Sequence, residues 1–312
     1  MIMTTTRKKI VRNGRYISNI ILKILLAILL FLLLLSIFKI LLDCRYIRVH
    51  TTIVDDTGYL PDNEDWDNIP DTIPPYDDDD LDSLPQHISL EAYFPPIGNQ
   101  GKYGTCVAWA VGYNLTTALN AIQNKWTSQQ LEDPTYQTSP KDLWMGIATG
   151  DKGAFCSGTN FEPTFYVLTS SGVANMQDVP YKNLGSCNGQ YIGDASNKLT
   201  YFKHIVAATG GNPSVAQIKA YLSDTIPLVI AAHLGDRFME WDSDETITSD
   251  TYLQPGMQHA YHAMALSGYD DSKNAFRVRN SWGEEWGDNG SIWVDYEFFI
   301  NEFCTEVFMA KK

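Results

Sequence analysis

The chain has 312 residues, 44% of them hydrophobic and 12% aromatic, which is enough for one large domain or two small ones around a sizeable core. Its net charge of −14 is uneven: residues 1–50 carry nine Lys/Arg and one acid, residues 51–86 twelve acids and no Lys or Arg, and residues 87–312 fourteen bases and 24 acids. No basic patch accompanies the globular part, which argues against a nucleic-acid partner, and five cysteines are too sparse for a disulfide scaffold.

In chain order, residues 1–19 form a short basic tail. Residues 20–42 are almost wholly apolar, with Lys23 and Lys39 bracketing an uncharged run. Lysines at the ends of such a run can snorkel, so about 23 residues are long enough to span a bilayer. Arg7, Lys8, Lys9, Arg12 and Arg15 precede the segment and only Arg45 and Arg48 closely follow it. The positive-inside rule then predicts a cytosolic N-terminus and an extracytosolic remainder. A cleaved signal peptide, releasing a secreted protein, is the competing reading. Residues 43–86 read as an acidic linker, broken by Pro61, Pro70, Pro74, Pro75 and Pro85. The expectation is a plain spacer; the alternative is a segment that occludes an active site.

From residue 87 the pattern is globular. The spacing predicts a helix over 107–122 with one buried face, and a second over 163–171 ended by Gly172. Residues 226–234 and 261–268 are short apolar runs that suit strands, and 275–279 and 291–295 alternate as strands do. Helices first and strands later read as α+β.

Three segments carry chemistry. Cys106 ends a glycine-containing loop and opens the first helix, where the helix dipole is expected to lower a thiol's pKa. His262 heads an apolar run. Asn280 begins Asn-Ser-Trp-Gly-Glu-Glu-Trp-Gly-Asp-Asn-Gly, through Gly290. A neutral amide can hold an imidazole in orientation, and the Trp282 indole can cover that contact. Taken singly, Cys106 and His262 are as compatible with packing as with catalysis. His259 near His262 has no further ligand close in sequence, so no metal is expected.

Together the three resemble the papain family of cysteine peptidases in order, local sequence and approximate spacing. Gln100-Gly101 with Cys106, His262-Ala263, and the fixed positions from Asn280 to Gly290 all match the family pattern. Val179-Pro180-Tyr181 resembles a further family segment. The 156-residue step from Cys106 to His262 is slightly longer than the usual ~130–150. The resemblance spans residues 87–312 and is nearest to bacterial-style members without a long helical propeptide. It implies a two-lobed fold, with a helical left lobe and a β-barrel-like right lobe behind the N-terminal transmembrane helix.

With residues 20–42 as the expected anchor, the resemblance implies a membrane-anchored endopeptidase, monomeric and acting on protein or peptide substrates without a cofactor. Cys106 is then nucleophile, His262 base, Asn280 orienting residue and Gln100 oxyanion donor. Gly158, Thr159 and Trp282 are substrate-binding candidates. The departures are Tyr103, Val107 and Thr159, which stand where the family has Cys, Trp and Gly. Cys156 aligns with the half-cystine whose partner is replaced by Tyr103, which leaves a relocated Cys156–Cys187 bridge as an expectation. A transpeptidase or amidase using the same residues, and a catalytically silent binding module, are the alternatives.

Overall fold

The computed structural model describes residues 58–60, 71–76, 81, 83–182, 184, 187–208, 210–251 and 260–312. The basic tail, the apolar segment 20–42, most of the linker and His259 lie outside them. Among the described residues, no helix is long and apolar enough to cross a membrane.

Helix α1 begins at Cys106 and runs through a π-helical stretch, Ala108–Thr116, into the α-helix Thr117–Asn124. Lys125 closes it in the left-handed region and bonds back to the Ala121 carbonyl. The single buried face expected here is corrected: every residue from Cys106 to Ala121 is buried. The helix lies between the sheet and two further helices, α2 (Pro140–Gly146) and α3 (Phe161–Ser170), so it has no solvent side. Three of its polar side chains are bonded internally. Thr116 Oγ1 donates to the Val111 carbonyl at 2.8 Å, five residues back along the π-helical stretch. Thr117 meets Thr138 at 2.8 Å, and Asn120 donates to Asn197 at 2.8 Å. Such pairing is what makes burial on all sides tolerable.

A single sheet holds the strands. In chain order they are β1 (Asp71–Thr72), β2 (His87–Ser89), β3 (Tyr201–Ile205), β4 (Leu228–Leu234), β5 (Thr246–Ile247), β6 (Ala260–Asp270), β7 (Ala275–Arg279), β8 (Ser291–Asp295) and β9 (Cys304–Lys311). Their spatial order is β1-β3-β9-β4-β6-β7-β8-β5, with β2 also paired to β6. The expected strand ranges 275–279 and 291–295 coincide with β7 and β8. The long β6 is antiparallel to β4, with Ala263 opposite Ala231, and to β7, with Ala265 opposite Arg279. This sets His262 near the start of β6 and Asn280 just past the end of β7. A fourth helix, α4 (Val215–Ser223), precedes β4 and starts with a reciprocal Ser214–Gln217 capping box. Phe161, Phe165, Phe202 and Phe308 pack together where α3 meets β3 and β9. Each such aromatic contributes roughly 1.5–3 kcal/mol by leaving water.

Candidate active site

Cys106 is wholly buried at the head of α1. The expected depression of its thiol pKa is corrected. Burial pushes it up to about 12, while backbone N–H groups of Ala263, Val107 and Cys106 itself pull the other way. Desolvation of the thiolate outweighs the field of the helix end. Ala263, whose N–H is one of these groups, follows His262 on β6, the strand that packs against α1.

His262 is also fully buried, and its Nε2 lies 2.7 Å from Asn280 Oδ1. The same Asn280 atom accepts the backbone N–H of Ser281 at 2.7 Å. A backbone N–H can only donate, so the shared atom is the oxygen and His262 Nε2 carries the hydrogen. Nδ1 is then the basic nitrogen of the neutral ring. The Trp282 ring sits 4.8 Å from the imidazole, and Trp286 and Phe238 pack behind it. This aromatic cover keeps water from the His262–Asn280 bond. Trp282 therefore lies on the histidine.

Gln100 is fully buried, its side chain held at both ends. Nε2 donates to the Tyr103 carbonyl at 2.9 Å, and Oε1 accepts from Ser281 Oγ at 2.6 Å. Its backbone N–H donates to the Ser281 carbonyl at 2.8 Å, which ties the loop before Cys106 to the segment after Asn280. Tyr181 adds a brace: its hydroxyl donates to the Gln100 carbonyl at 3.1 Å and meets Thr105 Oγ1 at 2.7 Å. Arg279, next to Asn280, is ion-paired with Glu91 and donates to the Pro95 carbonyl at 2.6 Å. Sequence reasoning passed over Ser281, Arg279 and Glu91. Ser281 was visible as part of the motif; the pairing of Arg279 with Glu91 had no local signal.

Cys156 and Cys187 form a disulfide, with Cα atoms 5.8 Å apart, and Cys106 and Cys304 are free. The bridge precedes Gly158 and Thr159, both buried. Gly158 spends its N–H on the Lys152 carbonyl, at 3.2 Å, while Thr159 offers its backbone outward to a partner. That partner is the acidic linker. Thr159 N–H donates to the Gly58 carbonyl at 2.9 Å, and Leu60 N–H donates to the Thr159 carbonyl at 3.0 Å. The plain-spacer expectation therefore fails for residues 58–60, which pair with Thr159 in parallel as a short strap. Gly58 has φ +81°, and a Cβ there would lie 2.2 Å from the Gly104 carbonyl carbon, so the strap presses directly on the loop before Cys106. Tyr59 is buried, its ring 5.5 Å from Phe161 and its hydroxyl bonded to Glu306 Oε2.

The model of the papain family cysteine proteases matches residues 85–305. The chain belongs to the papain family of cysteine proteases. Among curated relatives, it is 27% identical over 223 residues to cathepsin J of Mus musculus, covering 65% of this chain and 58% of that protein. It is 26% identical over 227 residues to cathepsin B-like CP2 of Giardia intestinalis, covering 68% and 69%. The chain thus spans under two thirds of cathepsin J. Among solved structures, xylellain, a cysteine protease from Xylella fastidiosa, superposes with a TM-score of 0.65 at 22% identity, covering 83% of this chain and 96% of that one. That likeness establishes the papain-like α+β fold. No group of three or more His, Cys, Asp or Glu side chains suited to a metal occurs among the described residues.

Proposed function

We propose that the protein is a membrane-anchored cysteine endopeptidase whose catalytic residues are Cys106, His262, Asn280 and Gln100. The observation that carries this reading is the 2.7 Å bond from buried His262 Nε2 to Asn280 Oδ1 beneath Trp282, on the strand that packs against the helix opened by Cys106. Nδ1 of His262 takes the thiol proton as sulfur attacks the peptide carbonyl. The backbone N–H of Cys106 and the Gln100 amide receive the oxyanion, each such donor being worth roughly 3–4 kcal/mol. The imidazolium returns its proton to the leaving amine, and water then cleaves the thioester with His262 again as base. Asn280 keeps the ring in its productive tautomer throughout. Thr159 and Gly158 form the edge along which substrate lies, and Trp282 shields the histidine.

Residues 20–42 are the anchor, with the basic tail 1–19 cytosolic, the linker 43–86 and the peptidase domain 87–312 extracytosolic. The Cys156–Cys187 disulfide favours that side of the membrane. Replacing Cys106 by Ala is expected to abolish both peptide turnover and labelling by thiol-directed epoxides. Retained turnover would overturn the assignment. Extraction of the full chain by alkaline carbonate would overturn the anchor.

A further inference from the structure

The loop that leads to Cys106 is held at its two ends and open between them. Gly101 and Lys102 are exposed, whereas Gln100 and Thr105 are fully buried. One hydroxyl joins the two ends. Tyr181 Oη donates to the Gln100 carbonyl at 3.1 Å and lies 2.7 Å from Thr105 Oγ1. A carbonyl only accepts, so the single Tyr181 proton is spent on Gln100, and Thr105 is the donor in the second bond. Burial pushes the titration of this hydroxyl upward, so it stays a donor across the neutral range. The Tyr181 ring lies 4.8 Å from Trp109 of α1 in a T-shaped contact. The chain just before it is fixed from outside the loop, where Ser139 Oγ donates to the Val179 carbonyl at 2.6 Å.

The two groups assigned above to the oxyanion, the Gln100 amide and the Cys106 N–H, belong to opposite ends of this loop, beside the two atoms that Tyr181 holds. Two donors stabilise one developing charge only at a set separation, a condition that bears on the transition state more than on substrate binding. We propose that Tyr181 is a positioning residue of the peptidase, its hydroxyl setting the spacing of Gln100 and Cys106 around the oxyanion. The proposal rests on the peptidase reading above.

The test compares the full parent chain with Tyr181→Phe, Gln100→Ala and the double variant. Tyr181→Phe keeps the ring and is expected to lower kcat roughly tenfold on a fluorogenic peptide while changing KM less than about twofold. In the Gln100→Ala protein the same change should cost less than about threefold, because the donor that it places is already gone. Two reagents separate placement from general damage. A peptide aldehyde traps Cys106 as a hemithioacetal: sulfur bonds to the aldehyde carbon, the thiol proton passes to His262, and the oxygen takes the charge between the donors. Iodoacetamide alkylates the same sulfur with no oxyanion formed. Tyr181→Phe should weaken aldehyde binding roughly tenfold and leave the alkylation rate within about twofold of the parent. Equal losses with both reagents, or no loss with either, would overturn the proposal, as would an undiminished cost of Tyr181→Phe in the Gln100→Ala protein. An aldehyde that does not bind the parent would overturn the oxyanion site and the proposal together. Aldehyde binding that falls in Tyr181→Phe, in a parent that cuts no peptide, would keep the brace and sink the peptidase reading.

Discussion

With its own titration pushed up to about 12, the Cys106 thiol holds its proton at neutral pH unless a base takes it. Its unassisted thiolate is therefore scarce at pH 7, so reactivity there tests whether His262 supplies the base. Iodoacetamide labelling of the parent protein should be appreciable near neutral pH and change little up to pH 9. In His262→Ala it should fall by two or more orders of magnitude at pH 7 and climb about tenfold per pH unit toward pH 11. A parent profile that climbs in the same way would mean that the thiol ionises unaided. Cys106, His262 and Asn280 were legible as candidates because each sits in a recognisable local motif, and the structure places His262 Nε2 on Asn280 Oδ1. The thiol's upward shift was not, because helix position is written in sequence and depth of burial is not.

At the level of elements, the site depends on how firmly α2 is tied to the chain after α3. Ser139 caps α2 by accepting the Asp142 N–H at 3.1 Å. Buried Asp142 in turn accepts backbone N–H groups from Ala174 at 2.8 Å, Ile192 at 2.8 Å and Gly193 at 3.0 Å. One carboxylate thus fixes both ends of the segment that carries Tyr181 and Cys187. Asp142→Ala removes the acceptor of three backbone N–H groups, of which only that of Ala174 belongs to a buried residue, and should cost about 3 kcal/mol, a fall of roughly 6–12 °C in Tm by calorimetry. A change under 2 °C would show that water replaces the carboxylate without loss. β7 and β8 were readable to the residue because they alternate cleanly. β3 and β9 were not identified, since Lys203, His204 and Glu306 break their apolar runs. α4 had a readable start in its Ser214–Gln217 capping box that went unused.

Across the whole molecule, charge and redox chemistry divide by region. Residues 51–86 carry twelve acids and no base, whereas the globular part mixes fourteen bases with 24 acids, and the disulfide steadies the wall from which Thr159 projects while Cys106 is free. The α+β class and the papain-like fold followed from the order of motifs. The role of the linker did not, because Gly58-Tyr59-Leu60 has no meaning until Thr159 stands beside it. Those three residues are joined by covalent chain to the domain they pair with, so a substrate lying along the Thr159 edge, as proposed above, would compete with a segment held at a fixed local concentration, on the order of millimolar for a short tether. Diluting the protein cannot relieve that competition, but cutting the chain between Leu60 and Asp71 can. A protease site engineered into residues 61–70 should, once cut, raise activity on peptides present at micromolar concentration. Returning the free 58–60 peptide should restore inhibition only near millimolar levels. Unchanged activity after a verified cut would mean that the strap stays bound without its tether.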